Sequence, residues 1–151
     1  MYRAWGLTFA LFACTNVSNE AVPKPSDTLD EAVFKCSVEP ILAKQCSYLA
    51  CHGKADSPLR VYTPGKLRMK APASLDDAIV ELTPDEHHAN FLSASGFNYG
   101  VDNVDDNYLL RKPLPANEGG YHHEGGAIWK GGGDDQYGRI RVWLLGQGRC
   151  P

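Results

Sequence analysis

The chain has 151 residues, a formal charge of −3 and a pI near 5.9. That length points to one domain, and mild acidity without a basic stripe argues against nucleic-acid binding. Fifteen glycines and ten prolines, set against few long apolar periodic runs, suit a loop-rich fold built around a bound group.

The first thirteen residues read as an export signal. Arg3 gives a short positive start, and Ala4 to Ala13 form an apolar run of ten. A bilayer-spanning helix needs about twenty such residues. The run ends in Leu11-Phe12-Ala13-Cys14, which resembles a bacterial lipobox. The resemblance implies cleavage before Cys14 and a lipid anchor on that residue. A plain secretory signal is the other reading, and both make the mature protein exported. Residues 14–28 are polar and carry Pro23 and Pro25, which predicts a flexible tether. The domain proper is then expected at 29–151.

Apolar residues begin at Leu29. Pro40 is expected to break the run, because proline lacks the amide hydrogen and clashes with the preceding turn. This predicts an extended or short helical piece over Asp30 to Val38, then a helix from Pro40 to about Ala50. That second helix delivers Cys46-Ser47-Tyr48-Leu49-Ala50-Cys51-His52-Gly53. Two cysteines followed at once by a histidine are what covalent attachment of a c-type haem requires: each thiol adds to a vinyl group, and the histidine reaches the iron. The usual signature is C-x-x-C-H, and here the spacer has four residues. The zinc reading of Cys46, Cys51 and His52 is weak, because no fourth ligand stands at structural spacing.

Further along, Leu59, Val61 and Tyr62 predict a short extended piece at the edge of the site, and Leu75 to Leu82 a short helix with Leu75, Ile79 and Leu82 on one face. Thr83-Pro84-Asp85-Glu86 is a capping-box start for a helix to about Ser95, stopped at Gly96. Phe97 to Asn107 reads as a solvated acidic loop, since its aspartates lack EF-hand spacing. Tyr108 to Leu114 predicts a helical turn ended by Pro113, followed by a glycine-rich segment from Asn117 to Gly133. Asp134 or Asp135 opens a last amphipathic helix to about Leu145, expected to pack on an early helix.

The five cysteines divide without remainder on this reading. Cys14 takes lipid, Cys46 and Cys51 take haem, and Cys36 and Cys150 are left to pair, as disulfides persist in exported proteins. The competing arithmetic bridges Cys46 to Cys51 and leaves no haem. Sequence alone does not fix connectivity.

A second axial ligand is also needed, and histidine or methionine would serve. Met69 is the one methionine left once the signal is removed. His87 and His88 sit in the first turn of the helix begun at Pro84. His122 and His123 stand in Tyr121-His122-His123-Glu124-Gly125-Gly126, where glycines allow close backbone approach to a flat macrocycle.

The joint order of these motifs resembles a class of single-haem cytochrome c domains found in planctomycetes and related bacteria, often fused to large exported proteins. The matching residues are Cys46 to Gly53, Leu109 to Pro113, His123 to Gly126, Asp134 to Tyr137 and Trp143 to Gly146. The resemblance implies a mainly α, cytochrome c-like, loop-rich haem domain. It also implies that the histidine of H-E-G-G, here His123, is the distal ligand. The extra His122 and the insert Gly131 to Gly133 depart from the pattern.

The leading expectation is therefore a periplasmic or cell-surface, lipid-anchored cytochrome that carries single electrons between redox proteins. It would hold one covalent haem c through Cys46, Cys51, His52 and His123. A peroxidase-like enzyme or small-ligand sensor, with His123 or Glu124 working beside the iron, is the second reading. A haem-free exported binding domain with two disulfides is the third.

Overall fold

The computed structural model describes residues 21–150. The expected export signal, Cys14 with its lipid, and the first part of the expected tether lie outside the described residues. Among the described residues the chain forms helices and loops and no strand, in keeping with the expected mainly α class.

The first helical unit runs through the expected break. Helix α1 (Glu31–Val33), a π-turn (Phe34–Val38) and helix α2 (Glu39–Gln45) follow one another directly. Asp30 starts the unit by accepting the Val33 amide at 3.0 Å. Within it, the Glu39 amide bonds to the Phe34 carbonyl, five residues back. The widened turn moves the preceding carbonyls away from the Pro40 ring and tolerates its missing donor. The unit then stops at Gln45, short of Ala50, where the Cys46 amide closes on the Leu42 carbonyl at 2.8 Å.

Helix α3 (Leu75–Ile79) is also shorter than expected. The Arg68 guanidinium takes the carbonyls of Asp77, Ala78 and Val80, so the helix cannot propagate. Leu75 and Ile79 stay exposed instead of forming a packed face. Helix α4 (Pro84–Ser95) has the expected bounds and the expected reciprocal cap between Thr83 and Glu86. The Glu86 carboxylate reaches further: it pairs with Arg68 at 2.9 Å and accepts the Met69 amide at 2.9 Å, holding the 68–69 segment on the helix start.

The acidic stretch after α4 is more structured than a solvated loop. It contains 3₁₀ turns at Gly96–Asn98 and Val104–Asp106. Asp105 pairs with Arg141 at 2.6 Å and accepts the Tyr137 hydroxyl at 3.1 Å. Helix α5 (Tyr108–Arg111) buries Leu109 and Leu110, and helix α6 (Asp135–Leu144) buries Tyr137, Ile140, Trp143 and Leu144.

As expected, the last helix packs on the first unit. Phe34, Phe91 and Trp143 form an aromatic triangle with ring centroids 5.2 to 6.4 Å apart, joining the π-turn, α4 and α6. The Trp143 indole donates to the Asp30 carbonyl at 3.0 Å. A disulfide joins Cys36 to Cys150, while Cys46 and Cys51 are free thiols.

The domain begins earlier than residue 29. The Pro23 carbonyl accepts the Val104 amide at 2.8 Å, the Ser26 amide donates to the Leu144 carbonyl at 2.8 Å, and Asn98 bonds to the Ser26 carbonyl at 2.8 Å. Residues 23–28, expected in the tether, are thus docked by main-chain hydrogen bonds. No described helix is long and apolar enough to cross a membrane.

Candidate functional site

The four residues between Cys46 and Cys51 fold into a tight coil. The amides of Cys51 and Gly53 both bond to the Tyr48 carbonyl, at 2.8 and 2.9 Å, and the His52 amide reaches back to the Cys46 carbonyl at 3.2 Å. A Cβ on residue 53 would run into the Ser47 carbonyl, so the residue after the histidine is glycine for want of space.

His52 is half-buried, and its Nδ1 lies 3.0 Å from both the Leu59 carbonyl and the Ser57 hydroxyl. A carbonyl only accepts, so Nδ1 carries the hydrogen and Nε2 keeps its lone pair. Burial holds the imidazole below its ordinary pKa; the Leu59 bond opposes this, and His123 and Lys54 add to the lowering. His52 is therefore a neutral, oriented donor near pH 7.

The Leu59 carbonyl is itself placed by a relay from two helices. The Val61 amide bonds to the His52 carbonyl at 2.8 Å. Asn90 of α4 accepts the Tyr62 amide at 2.7 Å, donates to the Tyr62 carbonyl at 3.0 Å, and donates to the buried Glu39 carboxylate of α2 at 2.7 Å. Leu59 lies in a bend, and the residues after it have no strand partner: the Val61 amide bonds to the His52 carbonyl, and the Arg60 and Tyr62 amides bond to the side chains of Ser93 and Asn90.

His123 repeats the arrangement of His52. Its Nδ1 donates to the Gly126 carbonyl at 3.2 Å, again leaving Nε2 free. A Cβ at residue 125 would sit 2.8 Å from the His123 ring, so glycine lets the loop fold over the imidazole. The rings of His52 and His123 lie 6.0 Å apart between centroids with planes 13° from parallel. An imidazole nitrogen binds a first-row metal at about 2 Å, and the ring centre lies about 1 Å behind it. Two such ligands in line on one ion would place their centroids about 6 Å apart.

Both rings line a cavity of about 250 Å³ whose walls also include Leu42, Cys46, Leu59 and Trp129. Cys46 is buried in this wall, and burial, reinforced by Cys51, pushes its thiol up to about 11. Cys51 is exposed at the edge of the coil. Larger clefts, of about 440 Å³, lie elsewhere and contain no histidine or cysteine.

Of the residues singled out in the sequence, Cys46, His52 and His123 meet at this cavity, and Cys51 lies in the coil beside it. The other distal-ligand candidates are elsewhere. Met69 faces a separate cleft with Lys70 and Pro72. His87 bonds to Glu39 at 2.7 Å and His88 to Glu31 at 3.0 Å. His122 is exposed, and its carbonyl accepts Lys112 Nζ at 3.2 Å. Glu124 is exposed as well. Among the described residues no three His, Cys, Asp or Glu side chains converge as a metal-binding group.

Sequence reasoning missed Trp129, Lys112, Asn90 and the Leu59 carbonyl. Trp129 had a signal: it is the one bulky aromatic in a run of small residues just after H-E-G-G. Asn90 and Leu59 had none, because each acts across a distance in sequence. Comparison with protein-family models, with curated proteins and with solved structures finds no match for this chain.

Proposed function

We propose that the chain is an exported single-haem c-type cytochrome that carries single electrons between redox proteins. The observation that carries this is the near-parallel pair His52 and His123, 6.0 Å apart, with His52 directly after a coil bearing two free thiols. Each imidazole has its Nδ1 on a main-chain carbonyl and its Nε2 free. The donor set fits haem c: two thiols that would add to the vinyl groups, two imidazole nitrogens that would hold the iron, and apolar walls. Bound there, the haem supplies an iron that gains and loses one electron.

The chain's own residues do the rest. Cys46 and Cys51 make the attachment permanent. The Leu59 and Gly126 carbonyls hold the two rings in orientation. Buried Leu42 and Leu59 keep water from the cavity. Ligation by two histidines favours a lower potential than a histidine–methionine pair. The helical unit carrying the attachment coil, closed by the terminal helix, supports a cytochrome c-like arrangement. The lipobox at Cys14 supports an anchor to a bacterial membrane, on the periplasmic or outer face.

One observation favours a second reading, a peroxidase-like enzyme or small-ligand sensor. His123 sits on a loop whose neighbours from Gly125 to Ala127 are exposed, and its one ring hydrogen bond stays within that loop. Such a ligand could be displaced.

An absorption spectrum decides between these, taken on protein matured in a host that attaches c-type haem. Sharp α and β bands on reduction, from haem that survives acid–acetone extraction and ignores carbon monoxide, are expected for the electron carrier. A carbon monoxide complex would shift the assignment to the sensor or peroxidase. No covalent haem would leave a haem-free binding domain.

A further inference from the structure

The indole N–H of Trp129 is buried and has no partner among the described residues, with the residue only 2 % exposed. Native folds rarely leave such a donor unmet. The contrast within the molecule is direct: the equally buried Trp143 donates its N–H to Asp30. The other unpaired buried side-chain atom among the described residues, the Thr63 hydroxyl, belongs to no residue of the cavity wall. Trp129 does line that cavity.

Its position is fixed by the main chain. The amides of Ile128 and Trp129 both bond to the Pro113 carbonyl, at 2.8 and 3.1 Å. This pins the tryptophan against the segment that carries Lys112. Among the residues lining the cavity Lys112 alone bears a full charge, and its amine also holds the His122 carbonyl, next to His123. The cavity therefore offers apolar walls, one unmet N–H and one nearby ammonium. That combination suits an apolar ligand with an anionic carboxylate.

We propose that Trp129 Nε1–H is the anchor for a carboxylate of the bound cofactor, a haem propionate. This rests on the haem reading above and adds the orientation of the macrocycle: its acidic edge faces Trp129 and the Lys112–His123 side of the cavity. Trp129 is then a positioning residue. The hydrogen bond, together with the contact from Lys112 to His122, ties the carboxylate end of the cofactor to the loop bearing the distal histidine.

The test is proton NMR of the reduced, diamagnetic holoprotein. The expected result is a slowly exchanging indole N–H, assigned by its loss in Trp129→Phe, with a nuclear Overhauser contact to propionate methylene protons. In the same variant the resonance Raman bending band of the propionate should move to lower frequency while the haem stays covalently attached. If Trp129→Phe does not fold, the wild-type contact still decides. An indole N–H that exchanges freely and shows no propionate contact, in protein with covalent low-spin haem, would overturn the anchor and leave the cytochrome reading standing. Protein that takes up no covalent haem would overturn both.

Discussion

His52 and His123 each meet a main-chain carbonyl through Nδ1, at 3.0 and 3.2 Å, and that contact decides which nitrogen is left for a metal. On the proposed haem reading, replacing His123 acts on the iron directly. His123→Gly should convert the low-spin spectrum to a form that binds carbon monoxide, and His123→Met should raise the reduction potential by on the order of 100 mV. A His123→Gly protein whose spectrum stays low-spin would move the distal ligand to His122 or Met69. The thiols differ just as sharply. Cys46 is 7 % exposed with its pKa pushed to about 11, whereas Cys51 is exposed. Thiolate is the reactive form. In folded, haem-free protein at pH 8, iodoacetamide should modify Cys51 first and Cys46 at least about tenfold more slowly. Mass spectrometry of timed samples reads this, and equal rates would show that the coil is open without haem.

Helix α4 holds the site from behind. At its start Glu86, nearly fully buried, is drawn from 4.5 to about 2, first by the hydrogen bond from Arg68 and then by the amides of Met69 and Thr83 acting against burial. A carboxylate whose folded pKa is depressed contributes stability above its unfolded pKa and loses it as pH falls through the folded value. The loss should therefore fall between about pH 4.5 and 2. Glu86→Gln should unfold at lower urea at pH 7 and flatten the acid limb in that window; an unchanged acid limb would remove Glu86 as its cause. About one turn along, Asn90 joins Glu39 to the main chain at Tyr62. Asn90→Ala leaves one oxygen of the buried Glu39 carboxylate and the Tyr62 amide without a partner, so a loss of about 3 kcal/mol is expected in urea unfolding. A loss below about 1 kcal/mol would show that water fills the gap. The bounds of α4 were legible in sequence because its cap is local, four residues long. The relay through Asn90 was not, because it joins residues 51 apart. Likewise Pro40 reads as a helix breaker until the π-turn before it is seen. Nothing local announces that turn, since it is stabilised by Phe34 and Val38 packing into a core completed a hundred residues later.

At the scale of the whole molecule, two halves of the chain meet at the π-turn. Phe34 packs on Trp143, Ser37 donates to the Arg149 carbonyl at 2.9 Å, and Cys36 is bridged to Cys150. The covalent link closes a loop of sequence separation 114. A loop of that size lowers the entropy of the unfolded chain by the equivalent of about 4 to 5 kcal/mol. The native contacts around it do not need the bridge, because the aromatic triangle and the Asp30–Trp143 bond already seat α6 on the first helical unit. The bridge should therefore act mainly on the unfolded state. Cys36→Ser/Cys150→Ser should lower the guanidinium midpoint of the holoprotein while leaving its absorption spectrum unchanged, since neither cysteine lines the His52–His123 cavity. Thioether attachment of haem spans only the residues from Cys46 to Cys51 and constrains the unfolded chain locally, so it cannot replace the long loop. A variant with the same midpoint as the parent would place the stability in the aromatic triangle alone. A variant with an altered spectrum would show instead that the π-turn transmits strain down α2 to the attachment coil.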